Sequence, residues 1–183
     1  MKLLSVILAC FIFTVTLNAQ KKTTGATVDA LLKKMTLDEK IGQMTQVDYD
    51  AIKNHADDLI KYSIGSVLWG GNSEIVNLTP KGWAECYDSL QRLSEKTRLK
   101  IPMIFVIDAV HGHNNVDGAV IFPHNIALGA THNPDIVEKV AMVTAQEMKG
   151  TGIHWTFSPC VAVVRNERWG RTYESFGEDA ELV

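Results

Sequence analysis

Ile101-Pro102-Met103-Ile104-Phe105-Val106-Ile107-Asp108 is the stretch that decides the fold. Its apolar residues occupy both faces of an extended chain, as in a strand buried on two sides, and the run stops at a carboxylate. Two further runs read the same way. Ile64-Gly65-Ser66-Val67-Leu68-Trp69 closes on Gly70-Gly71, and Ile153-His154-Trp155-Thr156-Phe157 passes into a long polar segment reaching Asp179. Helical patterns lie between them. Thr79-Pro80 supplies an N-cap and a first-turn proline, and Trp83, Tyr87, Leu90 and Leu93 then recur at three- and four-residue spacing, predicting a helix to about Thr97. Asn133-Pro134 opens another, with Ile136, Val137, Val140, Val143 and Met148 on its buried side and Gly150 and Gly152 as its stop. Upstream, Val28 to Met35 reads as a helix with Leu31, Leu32 and Met35 facing the core. Thr36-Leu37-Asp38-Glu39 is a capping box that starts a second helix, reaching about Met44. Strands alternating with helices predict an α/β protein with parallel strands. The pattern alone leaves barrel and open sheet both available.

Lys2 is followed by an apolar run from Leu3 to Leu17 and then Asn18-Ala19-Gln20. Residues 1–19 therefore read as a secretory signal peptide cleaved after Ala19, too short to span a bilayer and followed by no stop-transfer pattern. Cys10 sits inside the run, where lipoprotein processing would leave half of it behind. The expectation is an exported, periplasmic or secreted protein with no membrane attachment after cleavage. Residues 20–27 read as a flexible lead-in, and 28–183 as one domain or part of one. Of the 183 residues 46% are hydrophobic, and 18 Lys+Arg against 21 Asp+Glu give a formal charge of −3. A globular chain follows, without the basic field that a nucleic-acid partner requires. Cys86 and Cys160 are expected as two buried free thiols. Glu181-Leu182-Val183 reads as the start of a helix with no stop after it, and three or four βα units do not close a barrel of about 250 residues. The chain is therefore expected to be a piece of a longer polypeptide.

The residues after the deciding strand, Asp108-Ala109-Val110-His111-Gly112-His113-Asn114-Asn115, are dense in short hydrogen-bonding side chains. Parallel α/β proteins place their sites at such strand ends. A carboxylate there can accept two hydroxyl hydrogen bonds at once, which suits a sugar. Capping of the following turn is the other role that fits Asp108. His111, His113 and His124 lack the partners of a recognisable metal-ligand spacing, so no metal and no cofactor is expected, and these histidines are read as fixing the loop. A second unusual segment, Arg168-Trp169-Gly170-Arg171-Thr172-Tyr173-Glu174-Ser175, interleaves arginines with aromatics and an acid. Paired Arg and carboxylate can shape a pocket while Trp169 or Tyr173 stacks on a sugar ring; an ion-pair network that only holds the loop fits as well. No Gly-x-Ser-x-Gly elbow, phosphate loop or Cys-x-x-Cys occurs, which leaves serine hydrolase, nucleotide-binding and thioredoxin-like readings without support.

At these segments the sequence resembles glycoside hydrolase family 3, in its β-glucosidase and glucan exohydrolase branch. The stretches that carry the resemblance are Met35-Thr36-Leu37-Asp38-Glu39-Lys40-Ile41-Gly42-Gln43-Met44, Gly65-Ser66-Val67-Leu68, Ile107 to Asn115, Phe122-Pro123-His124-Asn125 and Arg168 to Ser175. The resemblance implies the N-terminal part of a TIM-like (β/α)8 barrel, incomplete in this chain. It also implies that Asp108 and Arg171 bind hydroxyls of the non-reducing terminal glucose, with His111, His113, Asn114, Arg168, Trp169 and Glu174 at supporting positions. The family's Lys-His pair, its Asp nucleophile and its Glu acid/base match nothing here, so they are expected beyond Val183, in the missing C-terminal part of the same polypeptide, and this chain alone is expected to be inactive. Where family members often read Arg-Asp-Pro-Arg, this sequence has Arg165-Asn166-Glu167-Arg168, which puts the loop shape in question. The implied partner is a β-linked glucoside or oligosaccharide hydrolysed with retention. β-Xylosidase or β-N-acetylglucosaminidase activity stands as an alternative, as does a non-catalytic sugar-binding protein should the gene stop at Val183.

Overall fold

The computed structural model describes residues 25, 27–70 and 73–183. The leader expected over 1–19 and most of the lead-in over 20–27 lie outside them. Among the described residues no helix is long and apolar enough to cross a membrane. The chain forms two compact units, one ending at Lys40 and one over Ile41–Val183.

In the first unit a helix over residues 27–34, α1, leads to Thr36. The capping box forms as the sequence predicts: Glu39 N donates to Thr36 Oγ1 at 3.2 Å and Thr36 N donates to Glu39 Oε2 at 2.8 Å. Two donors at the helix end are thus satisfied, and α2 runs over Leu37–Met44. Leu31 and Met35 are half-buried, whereas Leu32, expected in the core, is exposed.

The second unit is built on four parallel strands in the order β1 (Gln46–Asp48), β2 (Ser66–Trp69), β3 (Ile104–Ile107) and β4 (Trp155–Thr156). Register sets Leu68 beside Asp48, Trp69 beside Ile107 and Ile107 beside Thr156, so the strand ends that matter lie at one edge. The deciding strand is shorter than its apolar run. Pro102 has no N–H to give a ladder, and Met103 is held from the side: Gln91 Nε2 donates to Met103 O at 2.8 Å, and Met103 N donates to Gln91 Oε1 at 3.1 Å. Gln91 belongs to α5 (Pro80–Ser94), whose N-cap is Thr79 and whose Trp83 and Leu90 enter the core. Trp69 is the hub of that core, 5.2 Å from Tyr49, 5.4 Å from Trp83 and 5.4 Å from Phe105 between ring centroids. Offset and edge-on pairs of this kind add to the burial of the rings themselves.

Short helices α3 (Tyr49–Ile52) and α4 (Asp57–Lys61) connect β1 to β2, and α6 (Asn125–Gly129) precedes α7 (Pro134–Gly150). Asn133 caps α7 through its side-chain oxygen, which accepts from Asp135 N at 3.1 Å and Ile136 N at 3.3 Å. The predicted buried side of α7 needs correcting. Ile136 is exposed, Val137, Val140 and Val143 are half-buried, and Thr144 and Met148 are the residues fully enclosed. Much of that face borders an open apolar cavity of about 270 Å³ rather than packed side chains. The final residues form one turn, with Asp179 Oδ1 accepting from Glu181 N at 2.9 Å. Cys86 and Cys160 are free thiols, as expected, but half-buried rather than buried.

Candidate functional site

A polar cavity of about 450 Å³ opens beyond the C-terminal ends of β2 and β3. Asp108 enters it because β3 ends at Ile107 and Asp108 N still donates to Trp69 O at 3.3 Å, the last rung toward β2. Gly70 keeps the carboxylate open, since a Cβ there would lie 2.9 Å from Asp108 Oδ2. Burial raises the Asp108 carboxyl above its ordinary range, Arg171 pulls it back, and Glu174 pushes it up again. The ion that forms needs hydrogen-bond donors.

Arg171 and Glu174 come from a 3-10 turn over Thr172–Glu174 and the residue before it. Arg171 Nε lies 2.9 and 3.0 Å from the two Glu174 oxygens and Nη2 reaches Oε2 as well, while Nη1 stays outside the pair. The Glu174 side chain is only 8% exposed against 62% for Arg171, so the carboxylate forms the floor and the guanidinium the open side. The turn is held from behind. Asn125 Nδ2 donates to Glu174 O at 2.7 Å, and Gly129 lets α6 close on the next residues, since a Cβ there would sit 1.8 Å from Phe176 O. His111, His124 and Tyr173 stand edge to face at 4.5 and 4.6 Å along the cavity wall. Burial, then the neighbouring His124, push the His111 imidazole down, which favours its neutral form. Asn114 and Asn115 complete this side, the latter fixed by Trp83 Nε1, which donates to its carbonyl at 3.0 Å.

The glycosyl hydrolase family 3 N-terminal domain matches residues 36–183. The chain belongs to glycosyl hydrolase family 3. It is 36% identical over 168 residues to the lysosomal beta glucosidase of Dictyostelium discoideum, covering 83% of this chain and 20% of that protein. It is 37% identical to the periplasmic beta-glucosidase of Salmonella typhimurium, covering 86% of this chain and 19% of the relative. Among solved structures, the exo-1,3/1,4-beta-glucanase of a Pseudoalteromonas species superposes with a TM-score of 0.78 at 40% identity, over 86% of this chain and 20% of that one. The chain thus spans about a fifth of the length of these relatives. Its parallel α/β sheet is the N-terminal part of the family's TIM-like barrel domain.

The family motifs divide into residues that face the cavity and residues that build it. Asp108, Arg171, His111, Asn114 and Glu174 are brought together. His113, Arg168 and Trp169, expected at supporting positions, are not among the lining residues. Arg168 is exposed, and Trp169 is half-buried in the turn below. That turn answers the question raised by the missing Asp-Pro pair: Asn166 Oδ1 accepts from Arg168 N at 3.0 Å and Asn166 O from Trp169 N at 3.1 Å. An Asn side chain closes the turn as an Asp would. Sequence reading missed Glu74, which lines the cavity. The one available signal was its position just after the Gly70-Gly71 end of a strand.

His113 is fully buried, with Nε2 2.8 Å from Thr151 Oγ1. Since Thr151 Oγ1 donates to Met148 O at 2.9 Å, it accepts from His113, which assigns the Nε2–H tautomer from the hydrogen-bond network. Burial pushes the ring from an ordinary 6.5 down to about 4. A lowered folded-state value means that the neutral ring is the form the fold favours. The stability it contributes is complete above pH 6.5 and is lost as pH falls from there through 4. His113→Gln is expected to flatten the fall in thermal midpoint between those limits; a fall as steep as in the parent protein would move the effect to other groups.

Proposed function

We propose that the complete polypeptide containing this chain is an exported glycoside hydrolase that releases terminal non-reducing β-D-glucosyl residues from β-glucosides or β-glucan oligosaccharides with retention. The observation that carries this is the half-buried Asp108 carboxylate, which among the described residues makes no side-chain hydrogen bond, beside a guanidinium that spends Nε and Nη2 on Glu174. Asp108 accepts from two adjacent hydroxyls of the terminal glucose while Arg171 donates to a third oxygen. The planar pair Arg171–Glu174 fixes that donor in direction before the sugar arrives, so less entropy is lost on binding. His111 and Asn114 line the same wall and exclude water.

Retaining hydrolysis requires two carboxyl groups about 5–5.5 Å apart, one to form the glycosyl-enzyme and one to alternate as acid and base. Glu174 is committed to Arg171 through both oxygens and Asp108 is assigned to the sugar. The family resemblance, whose nucleophile and acid/base motifs match nothing in residues 1–183, assigns those two carboxyl groups to other parts of the polypeptide, and residues 1–183 alone should not turn over substrate. The test is to give the complete polypeptide aryl β-glucoside, β-xyloside and β-N-acetylglucosaminide and to follow the first-formed anomer by NMR. Preferred cleavage of the glucoside with β-glucose appearing first is expected. A preference for the xyloside or the N-acetylglucosaminide would reassign the substrate, and α-glucose appearing first would overturn retention.

A further inference from the structure

Glu74 lines the cavity and lies outside the sequence stretches that carry the family resemblance. Both of its neighbours are anchored. Ser73 is 4% exposed, with its hydroxyl 2.9 Å from Asp48 Oδ2 and accepting from Gly70 N at 3.0 Å; Ile75 is 6% exposed within the core. The backbone at position 74 is thereby held, and the side chain left in solvent between two buried ones lines the cavity. Three carboxylates thus line the cavity and differ in exposure: Glu174 buried, Asp108 half-buried, Glu74 exposed. Against them, among the described residues, the lining holds a single Lys or Arg, Arg171, already paired through both Glu174 oxygens. The part of the cavity that this chain supplies therefore carries more negative than positive charge.

We propose that Glu74 is a specificity-determining residue, whose exposed carboxylate in the cavity lining selects uncharged glycosides and turns away those with an anionic group on the aglycone. The assignment rests on the glycosidase reading above. The order of exposure supplies the direction. A terminal sugar seated on the half-buried Asp108 carboxylate leaves the exposed Glu74 to the part of the substrate still outside, the leaving group or the next sugar. A neutral sugar gives that carboxylate hydroxyls to accept from; an anionic group gives it only repulsion, weakened by water and by salt.

The experiment compares kcat/KM for phenyl and 4-carboxyphenyl β-D-glucoside with the complete polypeptide and its Glu74→Gln, Glu74→Asp and Glu74→Lys variants, at low and high salt. The charged-to-neutral ratio should rise about three- to tenfold in Glu74→Gln and further in Glu74→Lys, and stay near the parent value in Glu74→Asp. The spread between variants should shrink at high salt, and the change should sit in KM. A ratio unmoved in both Glu74→Gln and Glu74→Lys, with the phenyl glucoside still hydrolysed, overturns the role of Glu74 and leaves the glycosidase reading standing. No turnover of either glucoside by the parent polypeptide overturns both.

Discussion

Asp108→Asn in the complete polypeptide is expected to lower kcat/KM for an aryl β-glucoside by about 10²–10⁴-fold, with the thermal midpoint nearly unchanged. The magnitude follows from two hydrogen bonds to an ionised acceptor, each contributing about 1.5–3 kcal/mol. The substituted amide keeps one oxygen, loses the charge and presents an NH2 donor to a hydroxyl it formerly accepted from. Folding is spared because Asp108 is half-buried beside Gly70 and, among the described residues, no side-chain hydrogen bond of the fold runs through its carboxylate. Burial raises the acid above the ordinary carboxylate range, so it protonates earlier on acidification than an exposed Asp would. In the parent polypeptide this contributes a loss of kcat/KM on the acid side that Asp108→Asn removes. A loss in kcat/KM of less than about fivefold would show that Asp108 caps its turn and holds no sugar.

The contrast between Asp108 and Glu74 shows what the sequence could carry. Asp108 was legible because a two-faced apolar strand ended on it, and in a parallel sheet that edge is where sites form. Glu74 ends no periodic pattern, and its place is decided by Ser73 reaching Asp48 and Ile75 entering the core, contacts that link distant parts of the chain. β1 escaped reading for the same reason: Gln46-Val47-Asp48 is too short and polar to announce a strand, and becomes one by pairing with β2. His111 and His113 are two residues apart and alike in sequence. One lines the cavity while the other is sealed behind it, because Trp83 and Thr151, both remote in sequence, close over His113. The capping signals of α2, α5 and α7 involve neighbours three residues apart, and all three were read correctly.

Arg171→Met should damage both the fold and the site, and the two losses can be separated. Glu174 is a buried carboxylate whose charge is matched by one guanidinium, in a turn pinned by Asn125 and by Ser175, whose hydroxyl donates to Ala162 O at 2.5 Å. Removing the guanidinium leaves that charge without its donors, which costs about 2–4 kcal/mol and lowers the thermal midpoint of the complete polypeptide. It also removes the cation that draws the Asp108 acid downward, so the acid limb of kcat/KM should move to higher pH. The second variant, Arg171→Met with Glu174→Gln, takes away the stranded charge and should recover much of the stability. It should recover none of the turnover, because the donor to the sugar is still missing. If the double variant melts as low as Arg171→Met, the cost lies in lost packing of the long Arg side chain rather than in the unpaired carboxylate. If it melts higher and also regains activity, Arg171 only neutralises Glu174, and the hydroxyls of the terminal sugar are held by Asp108 and its neighbours without it.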